Sequence, residues 1–140
     1  MRICIDSCVL IHALQESDPG AEGLLQMVGN DITLIIPRLV AQEVTRNLKT
    51  SEQVRRFYRL FRVVDFAWIV DELVPRDLVN KYVRLGLPGK ADAFIGAFVE
   101  WMNMRYLISE NRHFLRQLQT DAFEVLQAGE FLERWESDSL

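Results

Sequence analysis

Residues 2–12 read RICIDSCVLIH, and this stretch decides the fold. The apolar run 3–5 predicts a short buried strand, and the helical spacing of the apolar residues after Ser7 predicts a helix. Asp6 therefore lies where a buried strand ends and a helix begins. In an open parallel sheet, binding sites lie beyond the carboxyl ends of the strands. Asp6 is thus either the N-cap of the helix or part of a functional site.

Strands and helices alternate along the rest of the chain, which predicts a parallel sheet with helices on both faces. Further strands are predicted at residues 32–36, 63–66, 106–108 and 123–126. Helices are predicted over residues 7–14, 21–28, 37–48, 51–61, 75–86, 90–103, 111–118 and 129–135, with a loop at 87–89. Because the helix over 90–103 is apolar almost all round, we expect it to be buried. No linker divides the chain, so we expect one domain over residues 1–140.

The composition is that of an ordinary globular protein, with 49% hydrophobic and 26% charged residues. No apolar run approaches the ~18 residues of a membrane span, and no signal-type segment precedes Asp6. Cys4 and Cys8 lie in one strand-to-helix stretch, which is typical of free thiols in a reducing compartment. We therefore expect a cytoplasmic protein without membrane contact. With no CxxC motif and two histidines, a structural zinc site is not expected.

The charge is unevenly distributed. A net charge of −4 argues against a protein that coats duplex DNA. Residues 46–62 nevertheless carry six basic side chains against Glu52 alone, a local net charge of +5. Arg55, Arg59 and Arg62 recur at the spacing of one helix face. This basic face is either solvated or binds an acidic ligand.

Three further polar positions are candidates to act together with Asp6. Glu43 follows the second strand and flanks an apolar helix face, although it could instead pair with Arg46 for ~0.2–0.5 kcal/mol. Asp92 lies in the first turn of the most apolar helix, where it either caps the helix or needs a buried partner. Asn111 follows the fourth strand and either caps the next helix or offers an amide oxygen to a hard cation.

Taken together, these motifs resemble the PIN domain, and in particular the small single-domain PIN proteins that include the VapC-type toxins. The resemblance rests on the strand that ends in Asp6-Ser7, on Glu43 in a helix opened by proline, and on the segments KADA at 90–93 and LISENRHF at 107–114. It implies an α/β/α sandwich with a five-stranded parallel sheet of order 3-2-1-4-5. It also implies Mg²⁺- or Mn²⁺-dependent cleavage of single-stranded RNA.

The resemblance also implies roles for individual residues. The catalytic acids are Asp6, Glu43 and Asp92; the metal ligands are Asp6, Asp92 and Asn111; and the residues that support them are Ser7 and Glu110. Clustered carboxylates repel one another unless a cation neutralises them, and oxygen ligands favour Mg²⁺ or Mn²⁺ over zinc. His113 and His12 are expected to lie at the surface or to support the site rather than to bind metal.

Partners follow from the same resemblance. We expect Arg55, Arg59 and Arg62 to contact RNA phosphates or an acidic partner segment. An antitoxin protein and a second copy of the chain in a homodimer are the other expected partners.

The sequence departs from the family pattern at three positions. Cys8 stands where a small polar residue, often Asn, is usual; Lys90 stands where many members have an acid; and Asn111 stands where Asp is common. A site with three carboxylates is expected to bind metal less tightly. Two alternatives therefore stay open: a PIN-like module that binds RNA or protein without cutting, and a flavodoxin-like regulatory or phosphatase domain. Against the second, no glycine-rich phosphate loop follows the first strand.

Overall fold

A five-stranded, all-parallel sheet forms the centre of the protein. The computed structural model describes residues 1–87, 89–138 and 140. The strands lie in the order β3-β2-β1-β4-β5. Their bounds are β1 Arg2–Ile5, β2 Thr33–Pro37, β3 Ala67–Val70, β4 Tyr106–Ile108 and β5 Glu124–Leu126. This order confirms the predicted 3-2-1-4-5 sheet and places β1 in its middle, next to β4.

Helices cover both faces of the sheet. Their bounds are α1 Ser7–Leu14, α2 Pro19–Gln26, α3 Arg38–Asn47, α4 Ser51–Arg59, α5 Arg76–Arg84, α6 Lys90–Trp101 and α7 Ala128–Glu136, with a π-helical segment at His113–Gln117. Helix α1 contacts α2, α3 and α4, and α2 contacts α7, whereas α5 packs on α6. In the described part of the chain, no helix is both long and apolar enough to cross a membrane.

The burial of the central strands explains why they read as continuous apolar runs. Successive side chains of a strand point to opposite faces of the sheet. Ile3, Cys4 and Ile5 are nevertheless all buried, as are the three consecutive residues 34–36 of β2. Both faces must therefore be covered by helices, as in other parallel sheets.

The position of α6 depends on a close contact with α5. A Cβ atom at Gly96 would lie 2.8 Å from side-chain carbons of both Leu87 and Tyr82. Only glycine permits this approach, because real Cβ atoms do not pack so tightly. The contact holds α6, the helix that carries Asp92, close against α5.

Two sequence predictions about the elements are wrong. The strand predicted at 63–66 lies instead at Ala67–Val70, and residues 63–66 form turns in which Val64 is 69% exposed. Two β-branched runs follow each other here, and the pairing with β2 selects the second. The helix predicted over 111–118 is only the π-helical segment at His113–Gln117. The other bounds differ by a few residues, and of the predicted loop 87–89, Pro88 lies outside the described residues.

Candidate active site

A pocket of about 260 Å³ lies beyond the carboxyl ends of β1 and β4. Its walls come from four parts of the chain: the start of α1, the middle of α3, the first turns of α6, and the loop after β4. The residues that line it are Asp6, Ser7, Cys8, Glu43, Ala91, Asp92, Ile95, Glu110 and Asn111. The structure thus brings together the predicted acids although they lie far apart in the sequence.

Asp6 is the most deeply buried acid of the pocket, with 5% of its surface exposed. Its Oδ1 accepts a hydrogen bond from the backbone N–H of Ser7 (2.8 Å), so it does cap α1. Its Oδ2 accepts from the hydroxyl of Ser109 (2.9 Å). Burial raises the pKa of Asp6; hydrogen bonds from Ser109 and Ser7 lower it, and the charges of Glu43 and Asp92 raise it further. The two interpretations of Asp6, helix cap and site residue, therefore both describe it.

Ser109 is a site residue that the sequence analysis did not single out. It is fully buried directly after β4, and its hydroxyl oxygen accepts a hydrogen bond from the backbone N–H of Asn111 (3.0 Å) while donating to Asp6. The signal that could have identified it is the predicted sheet order, because a residue that follows β4 lies next to one that follows β1.

Asp92 has the partners that an acid on a buried helix requires. Its Oδ2 lies 2.9 Å from Nδ1 of His113, and its Oδ1 lies 3.5 Å from the amide nitrogen of Asn111. Its side chain is 22% exposed and faces the pocket rather than capping α6, which has no side-chain cap. The expectation that His113 supports the site or lies at the surface agrees with this contact.

Glu43 lines the pocket and does not form the alternative ion pair with Arg46. Among the described residues, no ion pair joins it to Arg46, which is exposed. Its charge is one cause of the raised pKa of Asp6. The charges of Glu43 and Asp92 therefore both act on Asp6.

Asn111 and Glu110 both line the pocket and both form hydrogen bonds with residues outside it. The amide oxygen of Asn111 accepts a hydrogen bond from the backbone N–H of His113 (2.9 Å), the first residue of the π-helical segment. Asn111 therefore binds a backbone N–H at the start of that segment, while its amide nitrogen faces Asp92. Glu110 lines the pocket, and its carboxylate accepts from the side chain of Gln127 (3.1 Å).

The donors present in the pocket fit a hard divalent cation. Among the described residues, no three His, Cys, Asp or Glu side chains are gathered tightly enough to hold a metal ion by themselves. Mg²⁺ does not need such a cage, because it keeps several waters and binds through one or two carboxylates. The carboxylates of Glu43 and Asp92 raise the pKa of Asp6, so the pocket holds an excess of negative charge that a cation would relieve.

The predicted basic face does not lie wholly on one helix, because α4 ends at Arg59 and Arg62 lies beyond it, and the charges on α4 are partly neutralised. Arg55 and Arg59 both form ion pairs with Glu52 (3.1 and 3.3 Å). Arg62 is exposed and takes part in none of the ion pairs among the described residues. Of the three, Arg62 is therefore the one whose charge is free to meet a ligand.

The fold and the pocket define a parallel α/β domain with acids at the ends of its central strands. Residues 3–119 match the sequence model of the PIN domain family, and the chain belongs to this family. This finding confirms the resemblance that the sequence motifs indicated. The flavodoxin-like alternative is wrong, because that fold has the strand order 2-1-3-4-5. Comparison with curated proteins gives no match.

Two solved structures share the fold over nearly their full length. One is VapBC2 from Rickettsia felis bound to a DNA fragment from its promoter, with a TM-score of 0.62, 17% identity, and coverage of 91% of this chain and 98% of that chain. The other is FitAcB from Neisseria gonorrhoeae, with a TM-score of 0.58, 15% identity, and coverage of 90% of this chain and 97% of that chain. At these identities the likeness concerns the fold alone.

Proposed function

We propose that this protein is a metal-dependent endoribonuclease that hydrolyses phosphodiester bonds of single-stranded RNA. The observation that carries the proposal is the convergence of Asp6, Glu43 and Asp92 in one open pocket of a PIN domain. Asp6 and Asp92 are the principal ligands of Mg²⁺ or Mn²⁺, and Asn111, whose amide oxygen also accepts from the N–H of His113, is a weak third. A bound cation supplies an activated water and neutralises the phosphodiester.

The other steps of the proposed reaction depend on residues of the chain itself. Ser7 and Ser109 hold Asp6 in place from two sides, so its carboxylate enters the reaction already oriented. Glu43 faces the same pocket and orients the attacking water or accepts its proton. A single strand suits this pocket because its backbone can bend to bring one phosphodiester to the buried acids, whereas an RNA duplex presents a stiff surface.

The test is cleavage of a mixed single-stranded RNA pool with Mg²⁺ or Mn²⁺, with chelator, and with Mn²⁺ restored. Asp92→Asn is expected to reduce the rate at least about a hundredfold, because it removes a metal ligand while keeping an oxygen for His113. Asp77→Asn is the matched control, since Asp77 is an exposed acid in the first turn of α5. Equal cleavage by wild type and Asp92→Asn would indicate a contaminating nuclease and contradict the proposal.

A second candidate function is a module that binds RNA or protein without cutting. It is favoured by Asn111, whose amide oxygen is occupied by the N–H of His113 where the family commonly has an acid. Calorimetric titration with Mn²⁺ separates the two candidates. Binding that is lost in Asp6→Asn supports the nuclease, whereas RNA binding without Mn²⁺ binding supports the module.

We propose the biological setting by extension from the family and the two neighbouring structures. VapBC2 is a complex on promoter DNA, and we propose that this chain likewise pairs with an antitoxin protein. In this proposal residues 1–140 form one PIN-like domain, act in the cytoplasm as the toxin of the pair, and assemble as a homodimer.

The basic face gives a prediction about affinity for RNA. Phosphate contacts weaken with salt by about 0.7 in log–log slope per contact for single strands. Arg62→Gln is expected to reduce the slope by about one such contact, and the triple variant with Arg55→Gln and Arg59→Gln by more. The measurement is the salt dependence of RNA binding in the presence of chelator. An unchanged affinity and slope in the triple variant would show that the face has no role in RNA binding.

A further inference from the structure

We propose that His113 is a positioning residue that fixes the carboxylate of Asp92 for metal binding. The proposal rests on the proposed function, because it assigns a task toward the cation of that same site. The contact joins two segments that are 21 residues apart in the sequence, the first turn of α6 and the start of the π-helical segment. In it, Nδ1 of His113 lies 2.9 Å from Oδ2 of Asp92.

The direction of this hydrogen bond follows from the acceptor. An ionised carboxylate can only accept, so Nδ1 carries the proton and donates it toward Oδ2. Both the neutral Nδ1–H form and the imidazolium can do this, so the contact does not depend on the charge of the ring. His113 thereby holds one oxygen of Asp92, while Oδ1 has, among the described residues, the long 3.5 Å contact with Asn111 and is available to a cation.

The backbone of His113 is held by two hydrogen bonds, while its side chain is 42% exposed. Its backbone N–H donates to the amide oxygen of Asn111 (2.9 Å), and its carbonyl accepts from the N–H of Leu118 (2.9 Å), which closes the π-helical turn. The next residue, Phe114, is buried and anchors the segment in the core. Short π-helical segments occur frequently at functional sites. The backbone thus presents the imidazole from a fixed point.

The carboxylate of Asp92 needs a hydrogen-bond donor on the pocket side because the N-terminus of α6 offers competing donors. The first turn of a helix has backbone N–H groups without intrahelical acceptors, and an acid in that turn is drawn to them. The oxygens of Asp92 instead contact His113 and Asn111, so the carboxylate does not take this option. Without the donor of His113, we expect the carboxylate to turn toward the helix terminus and away from the pocket.

Three substitutions at His113 separate positioning from mere packing. His113→Asn places an amide N–H about where Nδ1 lies, His113→Gln places it about one bond farther out, and His113→Leu fills similar space without a donor. Loss of a residue that orients a metal ligand typically weakens metal affinity 10- to 100-fold. We expect Mn²⁺ affinity, measured by calorimetry without RNA, to fall about tenfold in the Leu and Gln variants. The Asn variant is expected to remain within about threefold of wild type.

The controls decide what each outcome means. His12 is exposed on α1 outside the pocket, so His12→Leu is expected to leave Mn²⁺ affinity unchanged. If His113→Leu does not fold, the Asn and Gln variants still test the proposal, because both are amides that differ by one methylene. Equal Mn²⁺ affinity in the Asn and Gln variants would overturn the positioning role while leaving the nuclease intact. Absence of Mn²⁺ binding by wild type would overturn both.

Discussion

Replacing Asp6 with Asn is expected to abolish metal-dependent RNA cleavage and to make the metal-free protein more stable. The two effects have one cause, the negative charge of Asp6. This charge attracts a cation, but when no cation is bound it lowers the stability of the folded protein. The pKa of Asp6 is raised by burial and by Glu43 and Asp92, even though Ser109 and Ser7 donate hydrogen bonds that lower it. The environment as a whole therefore disfavours the charged carboxylate. Asn keeps an oxygen for Ser7, and we expect a gain on the order of 1 kcal/mol near pH 7.

The pH dependence of stability should identify the same charge. Because the pKa of Asp6 is higher in the folded than in the unfolded state, the folded protein binds more protons between about pH 4, the ordinary pKa of Asp, and the raised pKa. The contribution of Asp6 to stability then falls as pH rises from that value through the raised pKa. Asp6→Asn lacks this contribution. Its advantage over wild type should therefore grow with pH and level off above the raised pKa.

The measurement is urea unfolding in chelator across pH 4 to 8, for wild type, Asp6→Asn and the exposed control Asp77→Asn. Added Mn²⁺ should reverse the order of wild type and Asp6→Asn, because a ligand that binds only the folded state stabilises it by mass action, by ~2.7 kcal/mol at a hundred times its Kd. An Asp6→Asn protein that is less stable than wild type in chelator at pH 7 would contradict the charge argument. It would show that the bond to Ser109 outweighs the repulsion.

The fold was predictable where one local pattern specifies one element. The stretch that contains β1 and Asp6 has an apolar run, a polar break and a helical repeat, and each points to the same structure. The edge strand β3 did not meet this condition, because two β-branched pairs, at 63–64 and at 69–70, lie within one short stretch of sequence. Only the pairing of β3 with β2 selects between the two runs, and a local pattern does not contain that pairing.

The candidate site was predictable in its acids but not in the contacts that hold them. Asp6 and Asp92 are recognisable because an acid at a strand end or on a buried helix contradicts the local pattern. The bonds of Ser109 to Asp6 and of His113 to Asp92 join residues 103 and 21 positions apart. They depend on side-chain rotamers and on where the loop after β4 passes α6. In the same way, the spacing of Arg55 and Arg59 predicted their helix face but not that Glu52 neutralises both.

Asn111→Asp is expected to lower the stability of the metal-free protein and to tighten Mn²⁺ binding. The amide nitrogen of Asn111 faces Oδ1 of Asp92 at 3.5 Å, so Asp would place a carboxylate oxygen against another carboxylate. The cap on the N–H of His113 should survive, because Asp caps about as well as Asn. The loss of stability in chelator should therefore come from charge repulsion, and we expect ~1–2 kcal/mol for this partly exposed pair. A fourth carboxylate should in turn attract a divalent cation more strongly, by about tenfold in Kd.

The two effects arise from one added charge, so Mn²⁺ should cancel the stability loss by mass action. The measurement is the melting temperature with chelator and with Mn²⁺ for wild type, Asn111→Asp and Asn80→Asp. Asn80 is exposed on α5, so its replacement adds the same charge outside the pocket and should shift neither the metal-free stability nor the response to Mn²⁺. A larger Mn²⁺-induced shift in Asn111→Asp alone would mean that position 111 contributes to the metal site. An identical shift in all three proteins would show that Asn111 binds the backbone N–H of His113 and does not contribute to the metal site.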